Sequence, residues 1–147
     1  MHIPVKLYNS IVDTMPILCV DVLIMYNNKC LLLLRDNEPA KGQYWFPGGR
    51  VLKNEYIKEA AIRKAKEETN LDCSFLKIIS VEETIFKKNE YMLTDVHTVN
   101  VCCQMEVTNI DKISADYLHT GYKWVDKLDA CYDNAINNPL ALLGFDY

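Results

Sequence analysis

Glycine and proline are scarce in this 147-residue chain, at 5 of each, which excludes a collagen-like or low-complexity protein. Among the 6 cysteines (Cys19, Cys30, Cys73, Cys102, Cys103 and Cys131) there is no Cys-x-x-Cys pair, and most lie within apolar runs. The expectation is therefore buried free thiols in a reducing cytoplasm, not a disulfide framework or a zinc site. No long Lys/Arg run occurs, and 20 acidic against 16 basic residues leave a net charge of −4. Such a chain lacks the footprint for binding a nucleic-acid backbone. A small charged substrate would need local arginine, lysine or a metal ion to offset repulsion. The most apolar stretch, 16–26, is interrupted by Asp21 and falls far short of the roughly 20 residues a membrane span needs. Residues 1–6 lack a basic segment followed by an apolar one, so no cleaved signal peptide is expected.

What is present fits one globular domain over residues 1–147: half the residues are hydrophobic and 24% are charged. Helical spacing of apolar residues predicts a short helix over 5–14, closed off by Pro16. A strand over 17–26 and another over 29–35 flank the Asn27-Asn28 turn as a hairpin. A loop then carries Pro39, Gly42, Pro47, Gly48 and Gly49. A helix is expected over 54–69 with Asn54 as its N-cap. Long strands over 75–86 and 95–107 are joined by a turn at 87–90, and a short strand over 121–125 follows. Asp126 is expected to cap a last helix over about 127–137. Strands mixed with helices place the fold in the α/β or α+β class, with a mixed sheet packed by helices.

The informative stretch is the glycine turn Gly48-Gly49-Arg50 and the helix after it. At about 100° per residue, Lys64, Glu67 and Glu68 share roughly a third of the helix circumference. Ala61, Ile62 and Ala65 are expected on the opposite side, against the sheet. Neighbouring carboxylates beside a turn that exposes backbone carbonyls suit Mg²⁺ or Mn²⁺. The plain alternative is a solvated Glu/Lys face. The preceding Tyr44-Trp45-Phe46-Pro47-Gly48-Gly49 is too specialised for a simple connection.

This segment resembles the Nudix box, Gly-x5-Glu-x7-Arg-Glu-U-x-Glu-Glu-x-Gly-U, where U is a bulky aliphatic residue. Over residues 49–71, Gly49, Glu55, Arg63, Glu67, Glu68 and Leu71 match in register. Lys64 replaces a usually acidic position, Ala65 a bulky one and Asn70 the second glycine. The resemblance implies the Nudix α/β/α sandwich, with a mixed β-sheet between helices. It also implies metal-dependent hydrolysis of a nucleoside diphosphate linked to another moiety. A protonated lysine cannot ligate a metal and repels a second cation, so fewer metal ions than in an ordinary Nudix enzyme, or none, are expected.

The GDP-mannose mannosyl hydrolase branch also lacks that glutamate, and this chain is similar to it around Tyr8–Val12, across 33–51 and at Leu118-His119-Thr120-Gly121-Tyr122-Lys123-Trp124. Enzymes of this branch cleave the sugar C–O bond with inversion and release GDP. The resemblance implies that the Gly48 carbonyl and Glu68, with Glu67 beside it, hold Mg²⁺ on the diphosphate. Arg35 and Arg50 would offset charge as GDP leaves, since arginine is always charged and can bind two oxygens at once. His119 would be the general base, and Asp21 would contact substrate. A homodimer is also implied. Two departures stand out: Leu118 occupies the place of a glutamine ligand, and Thr98 that of a tyrosine contacting the diphosphate.

Other residues have competing readings. Arg63 reads as a structural partner of Glu55. His97 could be a satisfied core histidine or a substrate contact. Tyr44 and Trp45 could stack on a guanine or pack the loop down. Asp21, in an apolar strand, requires a partner, because a buried acid costs several kcal/mol unpaired. A rival activity is P–O cleavage of a nucleoside diphosphate sugar or a nucleotide. A second rival is a domain that binds nucleotide sugars without turnover.

Overall fold

The computed structural model describes residues 2–116 and 118–147; Met1 and Tyr117 lie outside the described residues. The elements in chain order are α1 (Val5–Thr14), β1 (Ile17–Tyr26), β2 (Lys29–Arg35), β3 (Tyr44–Trp45), β4 (Gly48–Arg50), α2 (Ile57–Thr69), β5 (Ser74–Phe86), β6 (Val96–Glu106), β7 (His119–Val125) and α3 (Asn134–Leu142). The strands form one mixed seven-stranded sheet. Its central strand, β1, runs parallel to β6 over its whole length. β1 and β2 pair only next to their turn, at Met25↔Cys30 and Tyr26↔Lys29, and then part. β4 pairs with β1 in the opening, β3 adds to β2, and β7 covers β2 along its length.

Alternation along the strands sorts the core into two layers. Val20, Val22 and Ile24 join Leu31, Leu33, Val101, Cys103 and Met105 under Ala60, Ala61 and Ala65 of α2. Leu23, Cys30, Leu32 and Cys102 face the other way, against Ala135, Ile136 and Leu140 of α3. Small alanines let α2 approach the sheet closely. The result is a mixed sheet between helices, as the sequence predicts. Five of the cysteines are buried free thiols; Cys131 is exposed. No helix among the described residues is long and apolar enough to cross a membrane.

Several boundaries differ from expectation. Asn54 does not cap α2: it adopts φ 66°, a left-handed turn residue, and the helix starts at Ile57. Glu59 accepts the Tyr56 N–H at 2.9 Å there, while Glu55 is drawn back to the Leu52 N–H at 3.0 Å. Ile62 is not on the sheet side; it is exposed and Ala60 is buried in its stead. The loop 36–53 contains β3 and β4, which are too short to leave a periodic signal. The connection after β5 runs from 87 to 95, not over a four-residue turn.

The last helix begins at Asn134, not near Lys127, and Asp133 caps it by accepting the Ala135 N–H at 2.8 Å. Residues after Asp126 are held in turns instead, with Asn137 donating to the Asp129 carbonyl at 2.8 Å. The helix continues through Pro139, which removes one intrahelical bond without ending it. Asp133→Ala is expected to destabilise the protein by about 0.5–2 kcal/mol in urea unfolding, the usual worth of an N-cap. Asp126→Ala should leave the midpoint unchanged.

Candidate active site

The site begins with the close approach of β4 to β1. Gly48 lies opposite Asp21, and a Cβ on Gly48 would collide with the Val20 carbonyl oxygen, so only glycine fits. This draws the turn onto α2, where the Gly48 N–H donates to Glu68 Oε1 at 2.7 Å. Glu68 is 4% exposed, and burial pushes its carboxyl pKa up; Lys64, the Gly48 N–H and His119 oppose that rise.

Glu67 and Glu68 are adjacent yet diverge. Glu67 turns outward, where Arg63 holds both its oxygens at 3.2 Å and Lys64 meets one at 3.2 Å. Arg63 also grips Glu55 at 2.7 and 2.9 Å and donates to the Arg50 carbonyl at 3.0 Å. It thus ties the turn to the helix, the structural role expected of it. The Arg63 guanidinium lowers the Glu55 pKa. At the far end of α2, Asn70 takes the place of the usual glycine with φ 60° and closes the helix onto the Lys66 carbonyl. Asparagine tolerates that left-handed conformation.

Glu68 does not gather with Glu67 but with Asp116 and His119, whose donor atoms all lie within 4.8 Å of one another. His119 opens β7, pairs with Arg35 across the sheet and is buried. Its Nδ1 meets Asp116 Oδ1 at 2.5 Å, and the same oxygen accepts the Leu118 N–H at 3.1 Å. The Asp116 N–H in turn donates to the Glu68 carbonyl at 3.2 Å. Asp116 is absent from the sequence-based candidates. A carboxylate three residues before the histidine was the available signal, and it offers an oxygen donor where Leu118 has none. Two carboxylates suit Mg²⁺ or Mn²⁺, and the neighbouring imidazole is a donor Mn²⁺ accepts more readily.

Beside this cluster a cavity of about 190 Å³ opens, lined among others by Asp21, Arg35, Trp45, Gly48, Arg50 and Asn100. Gly48 and Arg35 belong to its wall and also touch or pair with the acidic cluster. Asp21 Oδ1 accepts from Asn100 Nδ2 at 3.1 Å, and Thr98 donates to Asn100 Oδ1 at 2.6 Å. The other carboxylate oxygen, Asp21 Oδ2, is buried with no partner among the described residues. Burial pushes the Asp21 pKa up to about 7, although the Asn100 hydrogen bond pulls it down. Arg35 donates to the Pro39 carbonyl at 2.7 Å, and its own pKa is lowered by burial against the pull of Glu68 and Asp21. Arg50 lies 5.5 Å from the centre of the Tyr8 ring.

The two aromatics of the loop separate. Trp45 forms the cavity wall and packs on Phe86 at 5.5 Å, whereas Tyr44 takes the Lys123 ammonium over its ring at 4.0 Å. His97 pairs with Glu83 at the far side of β6, away from the cavity lining.

A model of the NUDIX domain matches residues 15–141. The chain is 41% identical to the low-salt glycan biosynthesis protein Agl8 of Haloferax volcanii over 71 residues, 48% of this chain and 46% of that protein. It is 46% identical to an ADP-ribose pyrophosphatase of Methanocaldococcus jannaschii over 56 residues, 38% of this chain and 33% of that one. These matches span less than half the length of the curated relatives. The structure overlays a MutT NUDIX hydrolase from Burkholderia pseudomallei with a TM-score of 0.74 at 20% identity, covering 88% of this chain and 98% of that one. That likeness establishes the fold.

The Asp21 carboxyl makes stability depend on pH. Its folded pKa lies above the ordinary 3.8, so its stabilising contribution is complete below about pH 4 and is lost as pH rises through 7. In EDTA, wild type is expected to lose about 3 kcal/mol relative to Asp21→Asn between pH 5 and pH 8. Parallel urea midpoints for the two proteins would contradict this.

Proposed function

Because this chain belongs to the NUDIX domain family, we propose that it is a divalent-metal-dependent hydrolase of a GDP-sugar, releasing GDP and free sugar. The observation that carries this reading is the pairing of the Glu68–Asp116–His119 cluster with a cavity lined by Arg35, Arg50 and Asp21, whose Oδ2 has no partner among the described residues. The choice of a GDP-sugar rests on the resemblance across 33–51 and 118–124 and is supported by the likeness to a glycan biosynthesis protein.

Glu68 and Asp116, joined by the Gly48 carbonyl, would hold Mg²⁺ or Mn²⁺, while Glu67 turns to the outer side with Arg63 and Lys64. The metal ion would supply charge neutralisation at the diphosphate. The protein's own groups do the rest. Asp116 holds the His119 ring through Nδ1, leaving Nε2 to take a proton from water. The water oxygen bonds to the anomeric carbon while the bond from that carbon to the diphosphate oxygen breaks. GDP departs with the electron pair. Arg35 and Arg50 offset its growing charge. The unpaired Asp21 oxygen accepts a substrate hydroxyl, which resolves its burial without a partner. Trp45 would wall the cavity against the substrate, while Tyr44, under Lys123, packs the loop down. Buried free thiols fit a reducing compartment such as the cytoplasm. The apolar residues left exposed on α1 suit a homodimer.

The second reading, cleavage of a P–O bond, is favoured by the likeness to an ADP-ribose pyrophosphatase. Products decide between them. GDP-mannose with Mg²⁺ or Mn²⁺ in ¹⁸O water should give GDP and labelled free sugar. Sugar phosphate and GMP would establish the second reading. Measurable binding without turnover across GDP-, UDP- and ADP-sugars would make the chain a binding domain. His119→Gln is expected to lower kcat by about 10²–10⁴-fold, the usual worth of a general base. Unchanged turnover would remove His119 from the reaction.

A further inference from the structure

Lys64 occupies a position where the box normally carries an acid. Its side chain is only 17% exposed, little for a lysine on the outer part of a helix. The diglycine turn is what covers it. A Cβ on Gly49 would meet Lys64 Cε at 2.7 Å and Nζ at 3.1 Å, so the lysine lies directly over the turn. Its ammonium is also 3.2 Å from Glu67 Oε2. Among the groups that favour the charged form of Glu68, Lys64 contributes most, and its charge is felt at Cys19 in the cavity wall. A positive charge therefore lies against the diglycine turn that joins the acidic cluster to the cavity.

We propose that the Lys64 ammonium serves as a built-in cation that binds the substrate's diphosphate at the diglycine turn in place of a second divalent ion. An ammonium has three N–H donors, and Glu67 takes one, which leaves donors for phosphate oxygens. The same charge repels a second dication from Glu67, so the site holds one metal ion, at Glu68 and Asp116. This inference rests on the diphosphate-hydrolase reading above.

Two measurements test it. Titration with Mn²⁺ alone, followed by the electron paramagnetic resonance signal of the free ion, should give one bound ion per chain for wild type and two for Lys64→Glu. Any other wild-type count, or one ion in the variant, overturns the proposal. Calorimetry with inorganic pyrophosphate in EDTA should show binding weakened about 5- to 20-fold in Lys64→Met, and equal affinity overturns the proposal. Lys64→Met also carries the test if Lys64→Glu fails to fold. Nucleotide-sugar hydrolysis by the same wild-type sample separates the two ideas. Absent turnover with these counts and affinities intact removes the hydrolase reading and leaves the lysine as a diphosphate-binding group.

Discussion

The approach of Gly48 to β1 is the constraint on which the site depends. With no side chain in the way, the turn seats against the Val20 carbonyl and delivers its N–H to Glu68. A buried carboxylate needs such a donor, because desolvation otherwise disfavours its charge. Glu68 in turn carries Asp116 through its backbone carbonyl, and Asp116 carries His119. The groups on β4, α2 and β7 are thus positioned in series from one glycine.

Around that line, three cations divide the work. Arg63 is committed to structure: it binds Glu55, Glu67 and the Arg50 carbonyl together. Arg35 stands between the carboxylates of the cluster and the cavity. Lys64 shields the turn. Excess acid in this region would repel a diphosphate, and these side chains set the local balance against the chain's net charge of −4.

The long elements were legible because their patterns are local. Strands with ten or more residues of β-branched and apolar character, and a helix with alanines on one side, declare themselves within a single window. The box residues from Gly49 to Leu71 were legible because their spacing is fixed along one turn and one helix. What escaped depends on pairing across the chain. β3 and β4 exist only because β1 and β2 part to admit them. Asn54 has the composition of a cap, but Glu55 is claimed by Arg63 eight residues on, which pulls the helix start to Ile57. Asp133 and Asp126 are equally good caps by type, and Asn137 binding back to Asp129 selects the later one. Asp116 stands three residues before His119, but its place beside Glu68, 48 positions away, follows only from the fold.

The early parting of β1 from β2 has a consequence for how such a protein can change. The hairpin is fixed by its turn, and β2 is held independently by β7. The segment from Asp36 to Gln43 therefore spans two anchored ends, the second of them seated by the buried Trp45, Phe46 and Pro47. Substitutions or insertions there can reshape the cavity wall around Pro39 while the scaffold that aligns the acidic cluster stays as it is.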